Sequence, residues 1–132
     1  MEFFLAPEGE ERYYNFEFNA IGNFLGGYGP GREDREAIPA EVATLISTQA
    51  SLGKGMILHL EGRIRWELDI VIPAKALWKH QITDLAGMSF KGNFYKCGDG
   101  LDKPHFLSWQ PVGTASPDFH RPEFFGDITF GA

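Results

Sequence analysis

Apolar and polar residues alternate along much of this chain, most clearly in the segment YYNFEFN at residues 13–19. Successive side chains of a β-strand point to opposite faces. The segment therefore predicts a strand that directs Tyr14, Phe16 and Phe18 into a core. The opposite face carries Tyr13, Asn15, Glu17 and Asn19.

The same criterion predicts further strands at residues 2–5, 56–60, 63–72, 88–97, 104–110 and 124–130. The turn residues PEGE at 7–10 predict that residues 2–5 and 11–20 form a hairpin. In the segment 63–72 the core-facing residues are predicted to be Ile64, Trp66, Leu68 and Ile70.

Few segments depart from this pattern. Residues 26–36, which are rich in glycine and then in charge, predict a loop. Pro39 can open a short helix with one apolar face, made of Val42, Leu45 and Ile46. Pro73 begins a helical turn that runs through Trp78.

The predicted elements indicate an all-β protein. The chain of 132 residues has the length of one domain, spanning 1–132. Its 12 Phe and 16 Gly favour sheet and turns over helix. We expect an antiparallel β-sandwich, jelly-roll-like, with one or two short helices. Because a strand already begins at residue 2, we expect that the N-terminal strands of the sandwich are missing from this sequence.

Net charge and apolar runs narrow the choice of partners. A net charge of −6 without a basic cluster argues against nucleic acid. No apolar run reaches the roughly 18 residues that a membrane-spanning helix needs, so we expect no membrane partner. Cys97 is the single cysteine, which excludes an internal disulfide, and we expect it to be buried. A single cysteine does not indicate whether the protein works in an oxidising or a reducing compartment.

The polar face of the strand at 13–19 suggests a binding surface. Asparagine is unfavourable in strands, yet two of them flank Glu17 here. Amide and carboxylate groups at about 7 Å spacing suit a ligand with hydroxyls on neighbouring carbons, and an aromatic ring can cover the C–H face of a sugar. Lys91 and Asn93 repeat this pattern, and Trp109 offers a ring. A solvated face without a ligand is the alternative.

Catalytic and metal signatures are weak. Glu17 and Glu67 are strand carboxylates without a motif, so we expect no enzyme. The histidines fall in no metal-binding spacing. Asp99 and Asp102 stand three apart in a turn, for which calcium is a minor alternative to a plain turn.

Five segments together resemble a known family: EFFLAP, YYNFEFN, NFYKCGD, PHFLSWQP and PDFHRPEFFGDITF. They are similar to the family-9-like carbohydrate-binding modules within the DOMON-like β-sandwich group, over nearly the whole chain. The resemblance implies a two-sheet sandwich without catalysis. It also implies a mono- or disaccharide, often bound at its reducing end between two aromatic side chains, and in some members a structural calcium ion.

The resemblance also implies site residues. Glu2 matches the carboxylate that follows the family's Trp-bearing segment, and Glu17 and Asn19 match polar sugar contacts. Lys91 and Asn93 fall on a strand that supplies a basic contact. One aromatic position matches Phe119 and His120, with Trp109 as the substitute, whereas the segment with the first aromatic would precede Glu2. The full expected carbohydrate-binding set is Glu2, Asn15, Glu17, Asn19, Lys91, Asn93, Trp109, Phe119 and His120.

Two other functions compete with sugar binding. One is an interaction sandwich without a small ligand, which would pair through an exposed edge near residue 2 and form an edge-strand homodimer. The other is a haem-binding DOMON-type domain, for which the candidate ligands are Met56, His59, Met88 and His105. An upstream signal peptide would place the protein outside the cell or in the periplasm.

Overall fold

The computed structural model describes residues 1–57 and 59–132. Within these ranges the chain forms nine strands, one short α-helix and two 3₁₀ turns. In chain order they are β1 (Glu2–Pro7), β2 (Tyr13–Phe18), β3 (Phe24–Gly29), β4 (Glu36–Ala37), α1 (Ala40–Ala43), β5 (Ser47–Ala50), β6 (Leu68–Val71), a 3₁₀ turn at Ala74–Ala76, β7 (Ser89–Gly98), β8 (His105–Ser108), a 3₁₀ turn at Pro122–Phe124, and β9 (Gly126–Thr129).

Seven strands make one antiparallel sheet in the order β4-β3-β2-β1-β7-β8, and β9 also pairs with β7. The predicted hairpin is confirmed: β1 pairs with β2, and Glu2 lies opposite Glu17. The other side of β1 pairs with β7 along its whole length. The predicted free edge near residue 2 is therefore wrong, because β1 is a central strand whose backbone groups are used on both sides.

Strands β5 and β6 form a second, two-stranded antiparallel sheet. Leu68 and Ile70 of β6 pack against a core that contains Tyr14, Phe16 and Phe18 of β2, as predicted for that face. Two antiparallel sheets thus enclose one core, which confirms the predicted all-β sandwich class.

The opposite face of the large sheet has a core of its own. Phe4, Ala6, Tyr13 and Tyr95 are buried there. The chain after β8 folds back over them and contributes Val112, Phe119 and Phe125. This face was predicted to be a polar groove; in the structure it is partly covered, and the open part lies where the covering segment stops.

Three local predictions are wrong. Residues 26–36 were predicted as a loop, but they contribute most of β3 and the start of β4, because β3 pairs with β2 through its backbone even though it is rich in glycine. In the segment 63–72 only residues 68–71 form a strand, and Ile64 is exposed because no neighbouring strand pairs with that part. The predicted strand at 56–60 is absent at 56–57 and 59–60, and residue 58 lies outside the described residues.

The short helix and the helical turn occur close to where prolines predicted them. Helix α1 follows Pro39, and Ile46 beyond it is buried, whereas Leu45 is exposed against expectation because the chain has already left the helix there. A 3₁₀ turn follows Pro73. Across the described part of the chain, no helix combines the length and apolar character that a membrane span requires.

Candidate functional site

A cleft of about 460 Å³ opens on the second face of the large sheet, between the ends of β1, β2 and β7 and the covering segment. We call it the Glu2–Glu17 cleft. It is lined by Glu2, Glu17, Arg32, Cys97, Asp99, Phe106, Pro117, Phe119 and His120. Four of the expected site residues therefore meet in one place: Glu2, Glu17, Phe119 and His120.

Two carboxylates form one wall of the cleft. Glu2 on β1 and Glu17 on β2 are directly paired across the strands, so their Cβ atoms lie about 5 Å apart. Burial, and next the neighbouring Glu17 carboxylate, raise the pKa of Glu2 to about 7. Near neutral pH, Glu2 is therefore divided between a carboxylate that accepts hydrogen bonds and a carboxyl group that can also donate one.

Aromatic side chains form the facing wall. The Phe119 ring stacks on the buried Tyr95 ring with 4.2 Å between centroids. Phe106 lies edge-on to Phe119 at 6.2 Å and is 40% exposed. A rigid stack of this kind presents an apolar surface of the sort that covers the C–H face of a sugar ring.

His120 adds a neutral polar group to this wall. Burial, and next the Arg32 and Arg35 guanidinium groups, lower the pKa of His120 to about 4. Burial raises the pKa of Tyr13 to about 12, so its hydroxyl keeps its proton. The Tyr13 hydroxyl and His120 Nδ1 are 2.7 Å apart. With Tyr13 as donor, the ring proton of His120 resides on Nε2.

Arg32 joins the two loops that border the cleft. Its guanidinium donates a hydrogen bond to Asp118 Oδ1 at 3.0 Å, and so connects the β3–β4 loop with the covering segment. The Asp118 carboxylate also accepts a hydrogen bond from the backbone N–H of His120 at 3.2 Å. This arrangement holds His120 at the rim.

Two of the expected contact residues are structural in this protein. Asn93 is fully buried, and its side chain binds the backbone of Phe94 and Gln110 at 2.9–3.0 Å. Asn15 is 6% exposed and lies between Glu17 and Arg35. Burial makes both amides inaccessible to a ligand.

Three more expected residues lie outside the cleft. The side-chain oxygen of Asn19 accepts hydrogen bonds from the backbone N–H groups of Ile21 and Asn23, so it closes its own turn. Lys91 lies on β7 four residues before Tyr95, the residue paired with Glu2, and it forms an ion pair with Asp127. Trp109 packs against Phe94, on the other face of the sheet, at 5.8 Å between ring centroids.

The cleft also contains residues that sequence reasoning did not assign to it. Cys97 was expected to be buried, yet it is exposed, because the covering segment ends before it. Phe106 joins through the pairing of β7 with β8, in which it lies opposite Cys97, and Asp99 follows directly after the end of β7. Arg32 comes from the loop predicted at 26–36. Alternation in the segment 104–110 puts Phe106 and Trp109 on opposite faces of the sheet. This sequence signal could have identified Phe106, rather than Trp109, as a residue of the cleft.

A larger recess of about 680 Å³ adjoins the cleft and shares Glu2, Glu17, Cys97 and Asp99 with it. Asn19 lines this recess rather than the cleft. We take the smaller cleft as the candidate site because carboxylates and stacked aromatic rings face each other there. Among the described residues no group of three His, Cys, Asp or Glu side chains could hold a metal ion, and calcium in the turn at Asp99 stays a prediction.

Comparisons with known proteins bear on the family and the fold of the chain. The model of carbohydrate-binding family 9 matches residues 1–130. The crystal structure of a proposed carbohydrate-binding protein from Bacteroides uniformis superposes with a TM-score of 0.92 at 46% sequence identity. The match covers 98% of this chain and 59% of the Bacteroides uniformis protein, so this chain spans about three-fifths of that protein's length. No protein of curated function matches the chain significantly.

Proposed function

Because the chain belongs to carbohydrate-binding family 9, we propose that it is a non-catalytic module that binds a mono- or oligosaccharide in the Glu2–Glu17 cleft. The observation that carries the proposal is the meeting of a carboxylate wall with an aromatic wall in one cleft. Its volume of about 460 Å³ lies within the usual range for small-ligand sites, about 300–1,000 Å³.

Each wall supplies one part of sugar recognition. Glu17 and Glu2 accept hydrogen bonds from ligand hydroxyls and thereby set the orientation of the ring. Phe119 and Phe106 cover its apolar face. His120 Nε2 adds a donor at the rim. Sugars that carry hydroxyls on neighbouring carbons fit both walls at once.

The placement of the carboxylates supports binding without hydrolysis. Glycosidases use two carboxylates on either side of the scissile bond. Glu2 and Glu17 instead extend side by side from paired strands of one sheet. They therefore approach a ligand from the same side, which suits hydrogen bonding to adjacent hydroxyls.

The proposal is tested by measuring sugar affinity and melting temperature for two variants, Glu17→Gln and Phe119→Leu. Hydrogen bonds to charged groups contribute about 1.5–3 kcal/mol, so Glu17→Gln should weaken binding about tenfold or more. Phe119→Leu should weaken it by a similar factor because the flat ring surface is lost. The sugars are first identified on an array of neutral glycans.

Lys91→Ala is the matched control. Lys91 was also expected to contact sugar, but its ion pair with Asp127 lies away from the cleft, so its removal should leave affinity unchanged. An equal loss in Lys91→Ala, or unaltered affinity in both cleft variants, would contradict the proposed site. Absence of binding to every glycan would contradict the function.

A further inference from the structure

Arg35 lies half-buried behind the Glu2–Glu17 cleft, between β3 and β4. Its guanidinium donates hydrogen bonds to Asn15 Oδ1 at 2.8 Å, to the Gly31 carbonyl at 2.7 Å and to the Tyr13 carbonyl at 2.9 Å, and to the Gly27 carbonyl at 3.3 Å. It also lies over the Tyr13 ring at 4.5 Å. Four acceptors and one ring leave the side chain a single position.

Glycines of β3 provide the space for this arrangement. A Cβ atom on Gly27 would lie 2.8 Å from Asn15 Oδ1 and 3.2 Å from Arg35 Nε. A Cβ atom on Gly29 would lie 3.1 Å from the Arg35 Cα atom. Neither glycine has a positive φ, so the backbone conformation does not require glycine at these positions. Glycine is required there because Arg35 and Asn15 approach the backbone too closely for a Cβ atom.

Arg35 determines which way the Asn15 amide faces. A guanidinium only donates hydrogen bonds, so the amide oxygen of Asn15 must face Arg35 and its NH₂ group must point the other way. That group donates to Glu17 Oε1 at 2.7 Å. One oxygen of the cleft carboxylate is thereby held, and the position of the other is determined.

We propose that Arg35, acting through Asn15, is a positioning residue that holds the Glu17 carboxylate in its ligand-binding orientation. This inference rests on the proposed sugar-binding function. It explains why an asparagine that is almost inaccessible lies two residues from a cleft carboxylate. It also gives the glycine-rich segment of β3 an indirect role in binding, because its glycines leave the space that Arg35 and Asn15 occupy.

Other charged and titratable groups also surround Glu17. They are the Met1 ammonium group and Glu2 on β1, Arg35 behind Asn15, Lys96 and Cys97 on β7, and Arg32, Asp99 and His120 at the rim. All of them are retained in the Asn15→Asp and Gln49→Glu variants described below. Comparison with the wild-type protein at each pH therefore removes their contribution.

The decisive variant is Asn15→Asp, studied by sugar titration between pH 5 and pH 8. Its carboxylate still accepts the hydrogen bond from Arg35, so the fold keeps its anchor. Towards Glu17 it now presents an acceptor instead of a donor, and the two carboxylates repel each other. At pH 8 affinity should fall about tenfold relative to the wild-type protein.

Towards pH 5 the ratio to wild type should return to near one, because a proton shared between the two carboxyl groups restores the missing hydrogen bond. A purely structural role of Asn15 would not produce this pH profile. Gln49→Glu, the same amide-to-acid change at an exposed position of β5, is the control for net charge and should bind like the wild type.

A ratio that is equal to one at every pH, or reduced by the same factor at every pH, would overturn the proposal. If Asn15→Asp does not fold, Arg35→Lys decides: one ammonium cannot reproduce the planar set of donors, so a folded Arg35→Lys protein with full affinity would overturn it too. Wild-type protein that binds no sugar would instead overturn the proposed function, and this role with it.

Discussion

Asn15 and Glu17 occupy the same face of one strand, two residues apart, but they have different roles. Glu17 lines the cleft, whereas Asn15 is held between Glu17 and Arg35. Alternation in the sequence predicts the shared face correctly. It cannot predict that Arg35, twenty residues further on, covers one of the two side chains, since that contact depends on the pairing of β2 with a glycine-rich strand.

The Glu2 carboxyl group makes stability depend on pH. Its pKa is raised from the ordinary value of 4.5 to about 7 in the folded protein. Between these values the folded state binds more protons than the unfolded state, so the contribution of Glu2 to stability is full below about pH 4.5 and is lost as pH rises through 7.

Glu2→Gln should remove the loss of stability that deprotonation of Glu2 causes at high pH. We expect the variant to exceed the wild type in unfolding free energy by about 1–2 kcal/mol at pH 8, a value reduced for the solvent that still reaches Glu2. At pH 5 the excess should largely disappear. Denaturant unfolding at both pH values measures it. A difference between the two proteins that does not change with pH would show that Glu2 titrates normally.

At the scale of elements, alternation succeeds where a strand buries an aromatic face. It locates β1, β2, β7, β8 and β9 to within a few residues. It fails for residues 63–67, whose alternation has no partner strand, and for β3, whose glycines carry no pattern. Strand formation at both places is decided by pairing with distant residues, which a local pattern does not contain.

Two substitutions test whether burial in the structure, rather than the alternation of the sequence, determines which residues stabilise the fold. Phe16 is fully buried between the sheets, and Phe16→Ala should lower the unfolding free energy by about 3–5 kcal/mol. Ile64 is 42% exposed, so Ile64→Ala should cost less than about 1 kcal/mol, although its strand pattern predicts a core position. Urea denaturation of both variants tests this, and a large loss in Ile64→Ala would place residue 64 in the core.

At the scale of the whole molecule, the sequence resemblance predicts the family and the sandwich class, which the comparisons confirm. The structure places four residues of the expected site, Glu2, Glu17, Phe119 and His120, in one cleft. Local patterns could not reveal that the chain after β8 folds back over the second face. That covering segment buries Asn93 and leaves the Glu2–Glu17 cleft open beside the larger recess. The same assembly leaves an apolar groove of about 590 Å³ between the sheets. An edge-strand homodimer stays a prediction, but β1 cannot form it.

The most direct test of the account is a residue-resolved NMR titration of the chain with a sugar identified on the glycan array. Chemical shifts should change first at Glu17, Cys97, Phe106, Phe119 and His120. Shifts at Asn19 and Asn23 should change little, since they border only the larger recess. Changes confined to that recess, or to the surroundings of Lys91 and Trp109, would contradict the account.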